Sequence, residues 1–180
     1  MEDKFIIFTL STTFLILGFI IINASMIQPE SELVTYATTS NLIFRYGISG
    51  AKHMNELNTF KGIFTKDMVN KDPVKTKLDL TQYELDTIYQ KMADIDFFSY
   101  PRGFQPKLEG DVIGEVTPFS IYYLEYKDQT HTKVVQWNTK YWAPEDIQYQ
   151  NLKDLATLII EIIQAKPEYQ KLPEPTAGYA

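Results

Sequence analysis

Thirteen of the eighteen residues in segment 5–22 are Phe, Ile or Leu, and none carries a charge. This block restricts the fold more than any other feature of the chain. A helix buried in a soluble core keeps one polar stripe, and this segment has no charged position from which to build one. At ~1.5 Å rise per residue an eighteen-residue helix reaches ~27 Å, close to the ~30 Å of hydrocarbon in a bilayer. Strong apolar residues at about −0.3 to −0.6 kcal/mol each give roughly −4 to −8 kcal/mol towards insertion, from which Thr9, Ser11, Thr12 and Thr13 subtract a part. The expectation is an N-terminal transmembrane helix, with the membrane as the chain's first partner.

The polar start Met1-Glu2-Asp3-Lys4 sets one lysine against two acids and so lacks the positive n-region of an export signal. Ile22-Asn23-Ala24 before Ser25 is a poor cleavage site. The reading is therefore an anchor over residues 1–25, with a cleaved signal as the alternative. Lys4 precedes the block, and the first basic residue after it is Arg45, so the N-terminus is expected in the cytoplasm and the main domain outside the cell membrane. The chain has no Cys, which excludes both a disulfide framework and lipidation after the block. Asn23-Ala24-Ser25 matches a glycosylation sequon but sits at the membrane boundary and carries no weight.

The rest of the chain is acidic. Setting aside Glu2, Asp3 and Lys4 leaves 16 basic against 21 acidic residues, without a basic cluster. Nucleic acid is thereby excluded as a partner, because neutralising phosphates needs clustered Lys and Arg. Residues 26–40, with Pro29 and a run of Ser and Thr, read as a polar linker. Residues 41–172 are long enough for a single domain with its own core, and 173–180 form a C-terminal tail.

Period-two alternation predicts strands over 41–48 (Leu42, Phe44, Tyr46 and Ile48 on one face), over 59–65 around Gly62, and over 74–80. Thr81 and Glu84 form a capping box, and Leu85, Ile88, Tyr89 and Met92 follow at helical spacing, so a helix should run from there to about Asp94. Segment 96–117 carries Pro101, Gly103, Pro106, Gly110 and Gly114 and reads as irregular. Two further strands, 119–126 and 132–137, flank a hairpin loop, the first of them apolar on both faces and hence a central strand. Pro144 is expected to open a last helix with Leu152, Leu155, Ala156, Ile159 and Ile163 inward, stopped by Pro167. Hairpin-linked strands with two helices imply an α+β fold: a two-layer domain with an antiparallel sheet of about five strands and both helices on one face.

Catalytic and metal signatures fail one by one. His53 and His131 lie in predicted turns without a partner spacing for zinc. Gly47-Ile48-Ser49-Gly50-Ala51 lacks the last Gly of a nucleophile elbow. Asp94 and Asp96 begin a calcium-loop pattern that Phe98 breaks. Leu172-Pro173-Glu174-Pro175-Thr176 departs from a sorting signal by an extra Pro and a missing Gly. Neither a cofactor nor a metal is expected.

The most binding-like stretch is the loop with Phe97, Phe98, Tyr100, Arg102 and Phe104, joined by Tyr141 and Trp142 between the last strand and the last helix. Aromatics and Arg concentrate binding energy, and flat rings stack on sugars. Against this stands the ordinary use of such rings, to close a core at the sheet edge. The expected function is that of a membrane-anchored extracytoplasmic binding or interaction module for a protein or carbohydrate partner at the cell envelope. A cell-envelope hydrolase is the alternative, using carboxylates among Asp96, Glu109, Asp111 and Glu115, which share one loop region at a spacing that glycoside hydrolysis could use.

Overall fold

The computed structural model describes residues 40–108 and 114–175. The predicted anchor at 1–25, most of the linker, Glu109, Asp111 and the last five residues lie outside the described residues. Among the described residues no helix is long and apolar enough to cross a membrane.

Six antiparallel strands form one sheet: β1 (Asn41–Ile48), β2 (Asn55–Asn58), β3 (Ile63–Lys66), β4 (Val74–Lys77), β5 (Ser120–Lys127) and β6 (Thr132–Asn138), in spatial order β4-β3-β2-β1-β5-β6. With helices α1 (Gln82–Asp94), α2 (Ile147–Ala165) and α3 (Pro167–Gln170), this is an α+β fold. The sixth strand corrects the expected count of about five. The segment anticipated as one strand over 59–65 is a hairpin: the Asn58 carbonyl accepts the Lys61 amide at 3.2 Å, and Gly62 turns the chain with φ of 60°. A left-handed residue cannot continue a strand, whereas it suits a reversal. β2, Asn-Glu-Leu-Asn, is poor in the residues that favour strands and owes its conformation to pairing with β1 and β3 on either side.

Side-chain alternation divides the sheet into two chemically distinct faces. Leu42 and Phe44 of β1, Leu57, Phe64, Leu124 and Tyr126 of β5, and Val135 and Trp137 of β6 are all buried. They form one core cluster with Ile88, Tyr89 and Met92 of α1 and with Leu152, Leu155, Ala156, Ile159 and Ile163 of α2. The other set, including Ile43, Arg45, Tyr123, Glu125 and Gln136, stays wholly or partly exposed and is called the open face below. α1 begins as expected, with both bonds of the Thr81–Glu84 capping box present. α2 begins later than Pro144, because Asp146 is the residue that accepts the Tyr149 amide, at 3.1 Å.

The long segment after α1 is not structureless. Phe97–Ser99 make a 3₁₀ turn, and Gly103 bridges Gln136 in parallel, so this segment lies along the free edge of β6. Glu115 bridges Tyr141. After α3, Lys66 Nζ reaches Glu174 at 3.0 Å and lies 4.9 Å from the Tyr169 ring centre, which ties the end of the described chain to β3.

Candidate functional site

A cross-strand row of the open face defines the site. Glu56 on β2 pairs with Arg45 on β1, Arg45 with Tyr123 on β5, Tyr123 with Gln136 on β6, and Gln136 with Gly103 of the edge segment. Side chains in register stand close enough to interact. Arg45 Nε donates to Glu56 Oε2 at 2.6 Å, and its guanidinium carbon lies 4.8 Å from the Tyr123 ring centre. The Tyr123 hydroxyl in turn donates to Glu125. Burial, followed by that bond and the Glu125 charge, pushes the Tyr123 phenol above its usual range, against the opposing pull of Arg45 and Arg102. The phenol is therefore a fixed, neutral donor at physiological pH.

Two residues further along the strands, the next open-face row is Gly47, Ile121 and Asn138. Gly47 leaves this row without a side chain on β1, and Met54 packs there instead: a methyl group at Gly47 would stand 3.3 Å from Met54 Cγ. At the end of the first row Gly103 also lacks a side chain, with nothing within 4 Å of where one would begin. Between the rows lies a cavity of about 400 Å³ lined by Arg45, Met54, Gly103, Gln105, Ile121, Tyr123, Gln136 and Asn138 and by the strand residues Tyr122 and Trp137. Its size falls in the range of small-ligand sites, ~300–1,000 Å³. The exposed amides of Gln105 and Gln136 bond to no other side chain or backbone group among the described residues, whereas Asn138 Oδ1 accepts the Lys140 amide at 3.0 Å.

The aromatic loop contributes differently from its individual rings. Phe97, Tyr100 and Phe104 belong to the core cluster, and the Tyr100 hydroxyl donates to the Gln148 carbonyl at 3.2 Å. Phe98 remains 40 % exposed, its ring edge-on to Tyr126 at 5.1 Å. The Lys133 ammonium holds the loop by donating to the carbonyls of Phe98 and Tyr100, at 2.6 and 2.5 Å. The Arg102 carbonyl and the Phe104 amide bond to Gln136, at 2.7 and 2.9 Å, which sets Gly103 and Gln105 at the cavity. Of the candidate residues between β6 and α2, Tyr141 lies under the Lys140 ammonium and Trp142 is 69 % exposed; neither lines the cavity.

Sequence reasoning did not single out Arg45, Tyr123, Gln136 or Met54. Strand alternation sets Arg45 and Gln136 opposite the apolar faces of their strands, and the strand of Tyr123 reads as apolar on both faces; only the pairing of β5 with β1 and β6 brings the three together.

Of the carboxylates considered for hydrolysis, Glu109 and Asp111 lie outside the described residues. Asp96 is exposed with φ of 52°, and Glu115 pairs with Lys140 at 3.2 Å. Among the described residues no group of three His, Cys, Asp or Glu side chains is placed to hold a metal ion. In comparison with known proteins, no family model matches the chain and no curated sequence matches it.

Proposed function

We propose that this chain is a single-pass membrane protein, anchored by residues 5–22, whose extracytoplasmic two-layer domain carries both long helices on one face of the sheet and binds a ligand or partner on the other. The observation that carries the binding reading is the cleft itself: a cavity of about 400 Å³ rimmed by two glutamine amides that the described fold does not otherwise use. Side chains left unpaired at a concave surface are available to a ligand at no cost in broken internal bonds. The single core cluster shared by α1, α2 and one sheet face supports the two-layer arrangement, since among the described residues both long helices pack on that face.

The test is retention of envelope material by the immobilised full chain, extracted in detergent. Wild type should retain a component that the Gln105→Ala/Gln136→Ala double variant does not, while Gln90→Ala, on the exposed side of α1, should behave as wild type. Equal retention by wild type and the double variant would remove the cleft as a binding site. Exposed substitutions of this kind change stability by about 0.5 kcal/mol or less, so all three proteins should remain folded.

A further inference from the structure

We infer that the open-face cleft takes a neutral, hydroxyl-rich ligand, a glycan. The inference rests on the binding reading above and specifies what is bound.

Charge gives the first argument. Among the described residues, the one charged side chain lining the cleft is Arg45, and Glu56 at 2.6 Å already balances it. An anionic ligand would have to compete with Glu56 for the guanidinium and approach that carboxylate as it did so, and a cationic one would meet Arg45. A neutral ligand meets no such opposition.

Hydrogen-bond capacity gives the second. A sugar hydroxyl both donates and accepts, and so does a primary amide, with two N–H donors and a carbonyl acceptor. Gln105 and Gln136 present such groups at the rim, unused by other described residues, and the Arg45 guanidinium has N–H groups beyond the one bonded to Glu56. Sugars also carry C–H faces. Ile121 and Met54 line the same cleft and supply the apolar surface against which these pack.

Placement argues against an extended peptide. Strand addition needs an open sheet edge, with backbone N–H and C=O groups to pair. This cleft lies over the face of β1, β5 and β6, whose backbone groups bond to neighbouring strands, and the edge of β6 beside it is taken by the bridge to Gly103.

The deciding experiment exposes the full-length protein, in a detergent without sugar headgroups, to an array of immobilised neutral and anionic oligosaccharides. Binding should appear on neutral members and fall at least tenfold in the Gln105→Ala/Gln136→Ala double variant, with Gln90→Ala unchanged. Titration calorimetry with the free form of the strongest neutral oligosaccharide should give the same ranking. No signal on any neutral member, a signal confined to anionic members, or one that the double variant retains in full would overturn the inference. The envelope-retention assay separates this failure from that of the broader reading. Cleft-dependent retention without neutral-glycan binding sinks the glycan alone; the absence of both sinks glycan and binding module together.

Discussion

Gly62 shows how a single backbone angle outranks a hydrophobic pattern. Phe60 and Phe64 sit two residues to either side of it, which suggests a strand with both rings on one face, yet Phe60 is 44 % exposed and Phe64 is fully buried. With φ of 60° at Gly62 the chain turns between them. An added Cβ at that position would lie 2.2 Å from Asp79 Oδ1. The Asp79 side chain is exposed and can swing aside, so the lasting penalty is the left-handed backbone itself, about 1–3 kcal/mol for a residue with a side chain. Gly62→Ala should therefore lower the melting temperature by several degrees in a thermal denaturation scan, whereas Gly103→Ala, which meets open space, should leave it close to wild type. Equal melting temperatures for the two variants would contradict the assigned turn. The alternation of apolar residues was legible in the sequence; the sign of φ was not, because Gly accepts either.

At the level of the element, α1 was the most legible part of the chain, since its start signal and its buried stripe are both local. Thr81 and Glu84 exchange bonds within three residues of each other, and Ile88, Tyr89 and Met92 are buried as their spacing requires. What spacing could not reveal is the third partner of the cap: Lys166, beyond the end of α2, donates to both Glu84 oxygens at 3.1 and 2.8 Å. Burial pushes the Glu84 carboxyl up, but the bonds from Lys166 and Thr81 together outweigh it and hold the group below its ordinary value of 4.5. A carboxyl whose folded-state affinity for protons is reduced adds stability above its unfolded pKa and loses it as pH falls through the lower folded value. Glu84→Gln should thus melt at a lower temperature than wild type at pH 7, and the gap should close as the pH drops below about 4. A gap that stays constant down to pH 2 would show that the ionised carboxylate contributes nothing and that the effect of the substitution is steric.

Whole-molecule organisation separates what the chain discloses locally from what only the pairing of distant segments creates. The pairings of β1 with β2, β2 with β3, β3 with β4 and β5 with β6 all join neighbours in sequence; the β1–β5 pairing, Arg45 opposite Tyr123, spans the intervening helix and loop and has no local signature. The cleft depends on that pairing, which is why the loop of Phe97, Phe98 and Tyr100 attracted notice while Tyr123 and Gln136 did not. The apolar block at 5–22 is the opposite case, a local feature whose consequence is global. If it remains attached as an anchor, the domain stays with the membrane, and a ligand fixed in the envelope meets the cleft at a high effective concentration. Mass spectrometry of the membrane fraction after mild proteolysis should then recover peptides that run from the apolar block past Ser25 into the linker. High salt and alkaline carbonate should not release the domain from membranes, because an inserted segment of this composition is held by its buried apolar surface rather than by charge. Recovery of a chain that starts at Ser25, free in the medium, would replace the anchor by a cleaved signal and leave the open-face cleft to act on a soluble domain.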